Sequence, residues 1–462
     1  MDDELIDIST SLKLQLGYGV GHILNDVCAS LWFTYLLVFF HLVLEFNASQ
    51  AGNLMLVGQI VDALSTPFVG YHSDRTDNSL SLRYGRRKLW HLFGTVCVLA
   101  SFPFIFSECI GCSSTHKWAQ MFYYSAFIMI FQIGWASVQI SHLGLIPELS
   151  EDGHTRTHLT AVRYGFTVFS NLFVYVITWV VLRLTGDCDK QQVGPTDAWK
   201  FKNIVYIVLV IGVLATIVFH CMVHEKPYRR QEFLINNNNN GAHGDFLRKP
   251  LLYQIGGIYM STRLTVNVAQ VLVPLYLHRT LGLAARALAV VPLAMYLGSL
   301  TAAGVQRLAP RSFTRKFNYF IGAACAASGF IWIYFGSGST YKNDFIYVVA
   351  VLIGFGGAIM LVTSLALTAD LVGSRTEASA FVYGLMSFSD KLACGVAIAV
   401  IQLYAQEAES TYYRDALSWV CGGACMLGLT LTLLLPKLTS NALIADSSIN
   451  NEEENVESPT NI

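Results

Sequence analysis

Twelve apolar runs, each long enough to cross a bilayer, leave this chain little choice of fold. They fall at 15–44, 50–72, 88–107, 119–147, 160–184, 201–223, 251–278, 284–306, 317–336, 345–370, 379–404 and 415–436. A helix rises 1.5 Å per residue, so about 20 apolar residues match the hydrocarbon thickness. Inside lipid every backbone N–H and C=O must bond within the protein, which helices and closed barrels alone achieve. Runs this long and continuous read as helices rather than strands. The expected class is an all-α membrane protein with twelve transmembrane helices.

Composition agrees. Only 13% of the 462 residues are charged, against about 25% in a soluble domain. The net charge of −1 offers no basic field for nucleic acid. No phosphate loop, Ser/His/Asp arrangement or paired-metal spacing marks an enzyme, and no cofactor is expected. The start, Met1-Asp2-Asp3-Glu4-Leu5-Ile6-Asp7, is acidic and has no cleavage site, so it does not read as a removable signal peptide.

One long polar connector, 224–250, divides the runs six and six. It holds Glu225-Lys226-Pro227-Tyr228-Arg229-Arg230 and the run Asn236 to Asn240, which cannot bury a core. The expected plan is a segment 1–14, a bundle of six helices over 15–223, the linker 224–250, a second bundle over 251–436 and a disordered acidic tail 437–462. Basic residues crowd the even-numbered connectors: Arg75, Arg83, Arg86, Arg87 and Lys88; the central linker; then Arg307, Arg311, Arg315 and Lys316. The positive-inside rule therefore places both termini and the linker in the cytosol. The sequon Asn47-Ala48-Ser49 falls on the opposite, luminal side, where Asn47 can be glycosylated.

Of the ten cysteines, seven lie in apolar runs and read as small buried hydrophobes. Cys109, Cys112 and Cys188 lie in connectors. Cys109-Ile-Gly-Cys112 has no second ligand pair for a metal, and an oxidising lumen would permit a disulfide involving Cys188.

Polar residues inside the runs carry the functional reading, because a buried charge in a membrane helix faces a bundle interior or a water-filled path. In span one Tyr18, His22 and Asp26 recur at helical spacing with Asn25 beside them. Span two carries Asp62, span five Arg163 and span eleven Lys391. Span seven places Tyr259, Arg263, Asn267 and Gln270 in one polar stripe. Acids and bases on separate helices can neutralise one another, as burial requires.

Two further motifs indicate a family. Gly70-Tyr71-His72-Ser73-Asp74-Arg75 followed by Gly85-Arg86-Arg87-Lys88 resembles the loop signature of the major facilitators, in which Asp74, Arg75, Arg86 and Arg87 would latch one face. Leu143-Gly144-Leu145-Ile146-Pro147-Glu148-Leu149 is echoed six helices later by Leu365-Ala366-Leu367-Thr368-Ala369-Asp370-Leu371, as internal repeats would give. The Asn25-Asp26 helix, Val61-Asp62-Ala63-Leu64-Ser65-Thr66-Pro67 and the passage from Pro147-Glu148-Leu149 to Arg163 look like the glycoside-pentoside-hexuronide:cation symporter branch.

That resemblance implies the major facilitator fold, two six-helix bundles and a midplane solute site. Asp26, Arg163 and Lys391 match the branch's solute-binding positions and Asp62 one of its cation carboxylates. Thr66 and Gln139 stand where two further acids are common, and one carboxylate makes a poor sodium cage. Ala29-Ser30-Leu31-Trp32-Phe33-Thr34-Tyr35-Leu36-Leu37, Gly134-Trp135-Ala136-Ser137 and Ala380-Phe381-Val382-Tyr383-Gly384 resemble a subfamily associated with lysosomes and melanosomes. It implies import of cysteine in support of pigment synthesis, by a monomeric secondary active transporter using alternating access. Arg163, with Arg263, would take the carboxylate of such a zwitterion and Asp26 its ammonium, with Tyr18, Asn25, Tyr259, Asn267 and Lys391 around it. His22 and Asp62 are the candidates for a coupling proton. A sugar or organic-solute symporter and a non-transporting scaffold are the rival readings.

Overall fold

All twelve apolar runs form helices in the computed structural model, which describes residues 12–75, 84–112, 115–149, 153–184, 191–225, 250–308, 314–372, 379–405 and 409–436. In chain order they are α1 (Leu12–Val43), α2 (Ala48–Arg75), α3 (Arg86–Ile105), α4 (Lys117–Gly144), α5 (Gly153–Leu184) and α6 (Ala198–Met222). The second half holds α7 (Pro250–Leu275), α8 (Ala285–Leu308), α9 (Arg315–Phe335), α10 (Ile346–Val372), α11 (Ser379–Tyr404) and α12 (Tyr412–Leu433). No strand occurs among the described residues. Most of the central linker, the first eleven residues and the tail from 437 lie outside them, as does Cys188.

Eleven of these helices are long and apolar enough to cross a membrane. The exception is α7, the helix that carries the polar stripe. The expected and observed boundaries differ most at α5, which begins at Gly153 rather than 160. Its first two turns are polar, and a helix continues past the hydrocarbon because its backbone bonds do not depend on apolar side chains.

The packing repeats with a period of six helices. In the first half α1 packs on α5 and α6, and α4 on α2 and α3; in the second α7 packs on α11 and α12, and α10 on α8 and α9. Contacts between the halves are α1 on α7, α2 on α11 and α5 on α8. Adding six to each member returns the same three pairs, as a two-fold relation between equivalent bundles requires. Small residues permit the close crossings: a Cβ at Gly94 or Gly134 would strike the backbone of the facing helix where α3 meets α4.

One set of bonds between the bundles lies at one end. Tyr35 Oη donates to Leu288 O at 3.2 Å, Arg279 Nη2 to His41 Nε2 at 3.0 Å, Gln192 Nε2 to His278 O at 3.1 Å and Ala285 N to Gln191 O at 2.9 Å. All lie where α1, α5 and α7 finish and α6 and α8 begin. On the same side Cys109 and Cys112 are joined by a disulfide, with Cα atoms 5.3 Å apart.

Candidate functional site

The site begins with a defect in α1. Gly21 lies against the Phe219 ring of α6, where a Cβ would not fit, and the helix breaks into a turn at Gly21–His22. The break diverts Tyr18 from the expected face. Its hydroxyl donates to His142 O at 3.1 Å and its ring stacks on the His142 imidazole with centroids 4.1 Å apart.

His22 and Asp26 stay together. Arg163 Nη2 on α5 donates to His22 Nε2 at 2.9 Å, so neutral His22 carries its hydrogen on Nδ1, 2.9 Å from Asp26 Oδ1. Asp26 Oδ2 accepts from Thr167 Oγ1 at 2.9 Å, and Asn25 Nδ2 stands 3.5 Å from His22 Nε2. Asp26 is 6% exposed, and Arg163 Nε is buried without a partner.

Thr167 also lines a cavity of about 240 Å³ between α5, α7, α8 and α10. Asn171 and Tyr175 of α5, Arg263, Asn267 and Gln270 of α7 and Tyr296 of α8 supply its polar wall. The Asp26 group therefore stands one hydrogen bond behind the wall. At the closed end Thr34, Tyr175 and Gln270 meet: the two hydroxyls are 2.7 Å apart and Gln270 Nε2 donates to Thr34 Oγ1 at 3.2 Å.

Two more ion pairs are buried, one reaching the cavity wall through Arg263 and one between α2 and α11. Arg263 Nε donates to Asp390 Oδ2 at 2.8 Å, with Tyr259 beside the pair, while Asp390 Oδ1 is buried without a partner. Lys391 Nζ bridges Asp62 Oδ1 at 2.7 Å and Thr66 Oγ1 at 2.8 Å, tying α11 to α2. A lysine thus neutralises the Asp62 carboxylate, and Thr66 serves it as an acceptor.

Of the expected solute ligands, the structure brings Asp26, Arg163 and Asn25 together around the proton candidate His22 and sets Arg263 and Asn267 in the cavity wall. Tyr18 is engaged with α4 and Lys391 with α2. Asp390 is among the charges that interrupt span eleven, without an assigned role there; Thr167 and Tyr296 are absent from the sequence expectation. Thr167 sits one helical turn after Arg163, so it left a signal; Tyr296 left none. No group of His, Cys, Asp or Glu suited to a metal occurs among the described residues.

At the opposite end from the inter-bundle bonds, Glu148 accepts from Arg86 Nη2 at 3.0 Å and Arg87 Nε at 3.3 Å, and Arg87 Nη1 donates to Ser73 Oγ at 2.8 Å. The Asp74 and Arg75 side chains lie outside the described set. Glu225 caps α3 by accepting from Arg87 N and Lys88 N, both at 3.1 Å. Burial and the Glu148 carboxylate push Glu225 up to about 7 against those two donors.

Comparison with known proteins agrees with this architecture. Residues 17–435 match the family model described as "MFS/sugar transport protein". The chain is 41% identical to human "Major facilitator superfamily domain-containing protein 12", covering 92% of this chain and 94% of that one. The mouse protein of the same name is 41% identical, over 90% and 88%. A solved structure titled "Crystal structure of D-xylose-proton symporter" superposes with a TM-score of 0.64 at 16% identity, covering 94% of this chain and 98% of the other, which shows the shared fold.

Proposed function

The chain belongs to the MFS/sugar transport protein family of small-solute transporters, and from that premise we propose that it carries cysteine from the cytosol into lysosomes and melanosomes. The observation that carries this reading is the buried Asp26–His22–Arg163 group beside the interbundle cavity. An acid and a guanidinium with a free Nε, one hydrogen bond behind a polar wall, suit the two ends of a small amino acid. Arg163 takes the carboxylate by a charge-assisted contact and Asp26 the ammonium. Arg263 is already held by Asp390, so it orients the wall rather than acting as a second clamp. The 41% identity to the human and mouse relatives supports a solute specific to that subfamily.

Orientation follows from charge. The face with Arg86, Arg87 and Lys88 is cytosolic by the positive-inside rule, which makes the end joined by Arg279 and His41 luminal. The conformer described is then sealed toward the lumen, and transport proceeds by rocking the two bundles about the cavity. Arg86 and Arg87, held by Glu148, are the cytosolic latch in this reading. The acidic partner of Lys391 is spoken for, which disfavours sodium at Asp62 and favours a proton as coupling ion.

A second reading has its own support. The amides and hydroxyls of Asn171, Tyr175, Asn267 and Gln270 suit a hydroxyl-rich solute, and the cavity would admit a sugar. Uptake of labelled cysteine into sealed vesicles holding the purified protein, with pH and sodium varied separately, tests the first reading. Saturable uptake blocked by unlabelled cysteine and untouched by sugars supports it; competition by sugars alone overturns it.

A further inference from the structure

Four titratable side chains that this reading does not use run from α1 to the face where α3 begins and α6 ends. Tyr84 Oη lies 2.9 Å from His220 Nδ1, and His220 Nε2 lies 3.1 Å from His91 Nδ1. His91 Nε2 lies 3.1 Å from Gly21 O, at the break in α1. A carbonyl only accepts, so His91 keeps its hydrogen on Nε2 and accepts at Nδ1 from His220. His220 in turn accepts from the Tyr84 hydroxyl. All three bonds point inward.

His142 extends the row. Its Nε2 donates to Tyr18 O at 2.7 Å, and its Nδ1 is buried without a partner. Its ring centre lies 6.1 Å from that of His91 and 5.2 Å from that of His22. A side chain kept only for packing would not bury a bare acceptor, which is costly. Fixed charges bracket the row. Arg163 and Asp26 stand at its inner end, while Lys88, which donates to His220 O and Val223 O, and Glu225 stand at its outer end.

We propose that Tyr84, His220, His91 and His142 carry the coupling proton between this face and the His22–Asp26 pair, so that proton and solute reach the site by separate routes. The proposal rests on the reading of Asp26 and Arg163 as the solute site. A proton from Tyr84, replaced from solution, protonates His220 Nδ1, and His220 passes its Nε2 proton to His91 Nδ1. One ring swing brings His142 Nδ1 within reach of the His91 Nε2 proton. When Arg163 leaves His22 Nε2 for a solute carboxylate, that nitrogen takes the His142 Nε2 proton, and His22 is held as an imidazolium beside the Asp26 carboxylate, which keeps its charge for the solute ammonium. Only N–H and O–H bonds change, one proton is transferred to His22, and His220, His91 and His142 end neutral in their other tautomers. Solute binding itself opens the last step.

The test uses the full chain in sealed vesicles with a trapped pH-sensitive dye and labelled cysteine. Net uptake by the unmodified protein is accompanied by proton movement. In His91→Gln and His142→Gln, net uptake and proton movement fall by about tenfold or more. Exchange of labelled for unlabelled cysteine returns the carrier loaded in both directions and needs no net proton transfer, so it stays close to that of the unmodified protein. His220→Gln, at the half-buried mouth, gives the same split. Equal loss of exchange and net uptake in all three, or proton movement unchanged in all three, overturns the relay. Cysteine flux without proton movement in the unmodified protein overturns the relay and leaves the proposed function standing; absence of any flux overturns both.

Discussion

Lys391 Nζ lies 2.7 Å from Asp62 Oδ1, joining two helices that are 329 residues apart in the chain and belong to different bundles. Both side chains are buried. Removing one member strands the other in a low-dielectric interior, which costs about 3–5 kcal/mol, whereas replacing both with neutral side chains of similar volume is close to neutral. Thermal unfolding in detergent should therefore show Lys391→Ala strongly destabilised and Asp62→Asn with Lys391→Met largely restored. Equal losses that simply add would remove the pair from any role in holding the bundles.

The Asp26 group makes a separate prediction. Asp26→Asn and Arg163→Lys should each reduce cysteine uptake by about tenfold or more, since a charged hydrogen bond contributes roughly 1.5–3 kcal/mol. Protein abundance in the membrane should be unchanged. Lysine keeps the charge at position 163 but lacks the planar fork that grips a carboxylate through two parallel bonds. Uptake by both variants at the unmodified rate would end this site assignment.

Glu225 predicts a pH dependence. Its folded value, about 7, lies above the ordinary carboxylate value of 4.5, so the folded chain holds this proton more tightly than the unfolded one. The stability it contributes is full below the ordinary value and is lost as pH rises through about 7. Glu225→Gln removes the titration, so its melting temperature should gain on that of the unmodified protein between pH 5 and pH 8. A constant difference across that window would mean that the two amide donors outweigh burial.

Asn47 caps α2 through its side-chain oxygen, which accepts from Gln50 N at 2.7 Å, while Gln50 Oε1 accepts from Asn47 N at 3.2 Å. A glycan attaches to the other atom of the amide, Nδ2, so capping and glycosylation are compatible. With the luminal orientation, amidase digestion should shift the protein once on a gel, and Asn47→Gln should abolish the shift. Asn47→Ala should in addition lose about 1 kcal/mol of cap. An unshifted band from cells that glycosylate other luminal proteins would count against the orientation.

Much of the site could be listed from the sequence but not assembled from it. Asp26, Asp62, Arg163, Arg263 and Lys391 stand out because each interrupts an apolar run, where a charge must find a partner. The partners themselves were not legible. Arg263 goes to Asp390 rather than to a solute, Lys391 to Asp62 rather than into the cavity, and Tyr18 to His142 rather than along one face with Asp26. The last goes with the α1 break, at a glycine that lies against an aromatic ring about two hundred residues away in the chain.

By itself the sequence determined the number of helices, their approximate ends and the two-bundle plan. Bilayer thickness sets the length of each run and lipid forces each backbone to satisfy itself locally, so those features are written segment by segment. Tertiary structure alone decided which acid meets which base, where the cavity lies and which end is joined. Those outcomes depend on how helices far apart in the chain cross one another. A local pattern says that a buried charge needs a partner; only the packing says which one it has.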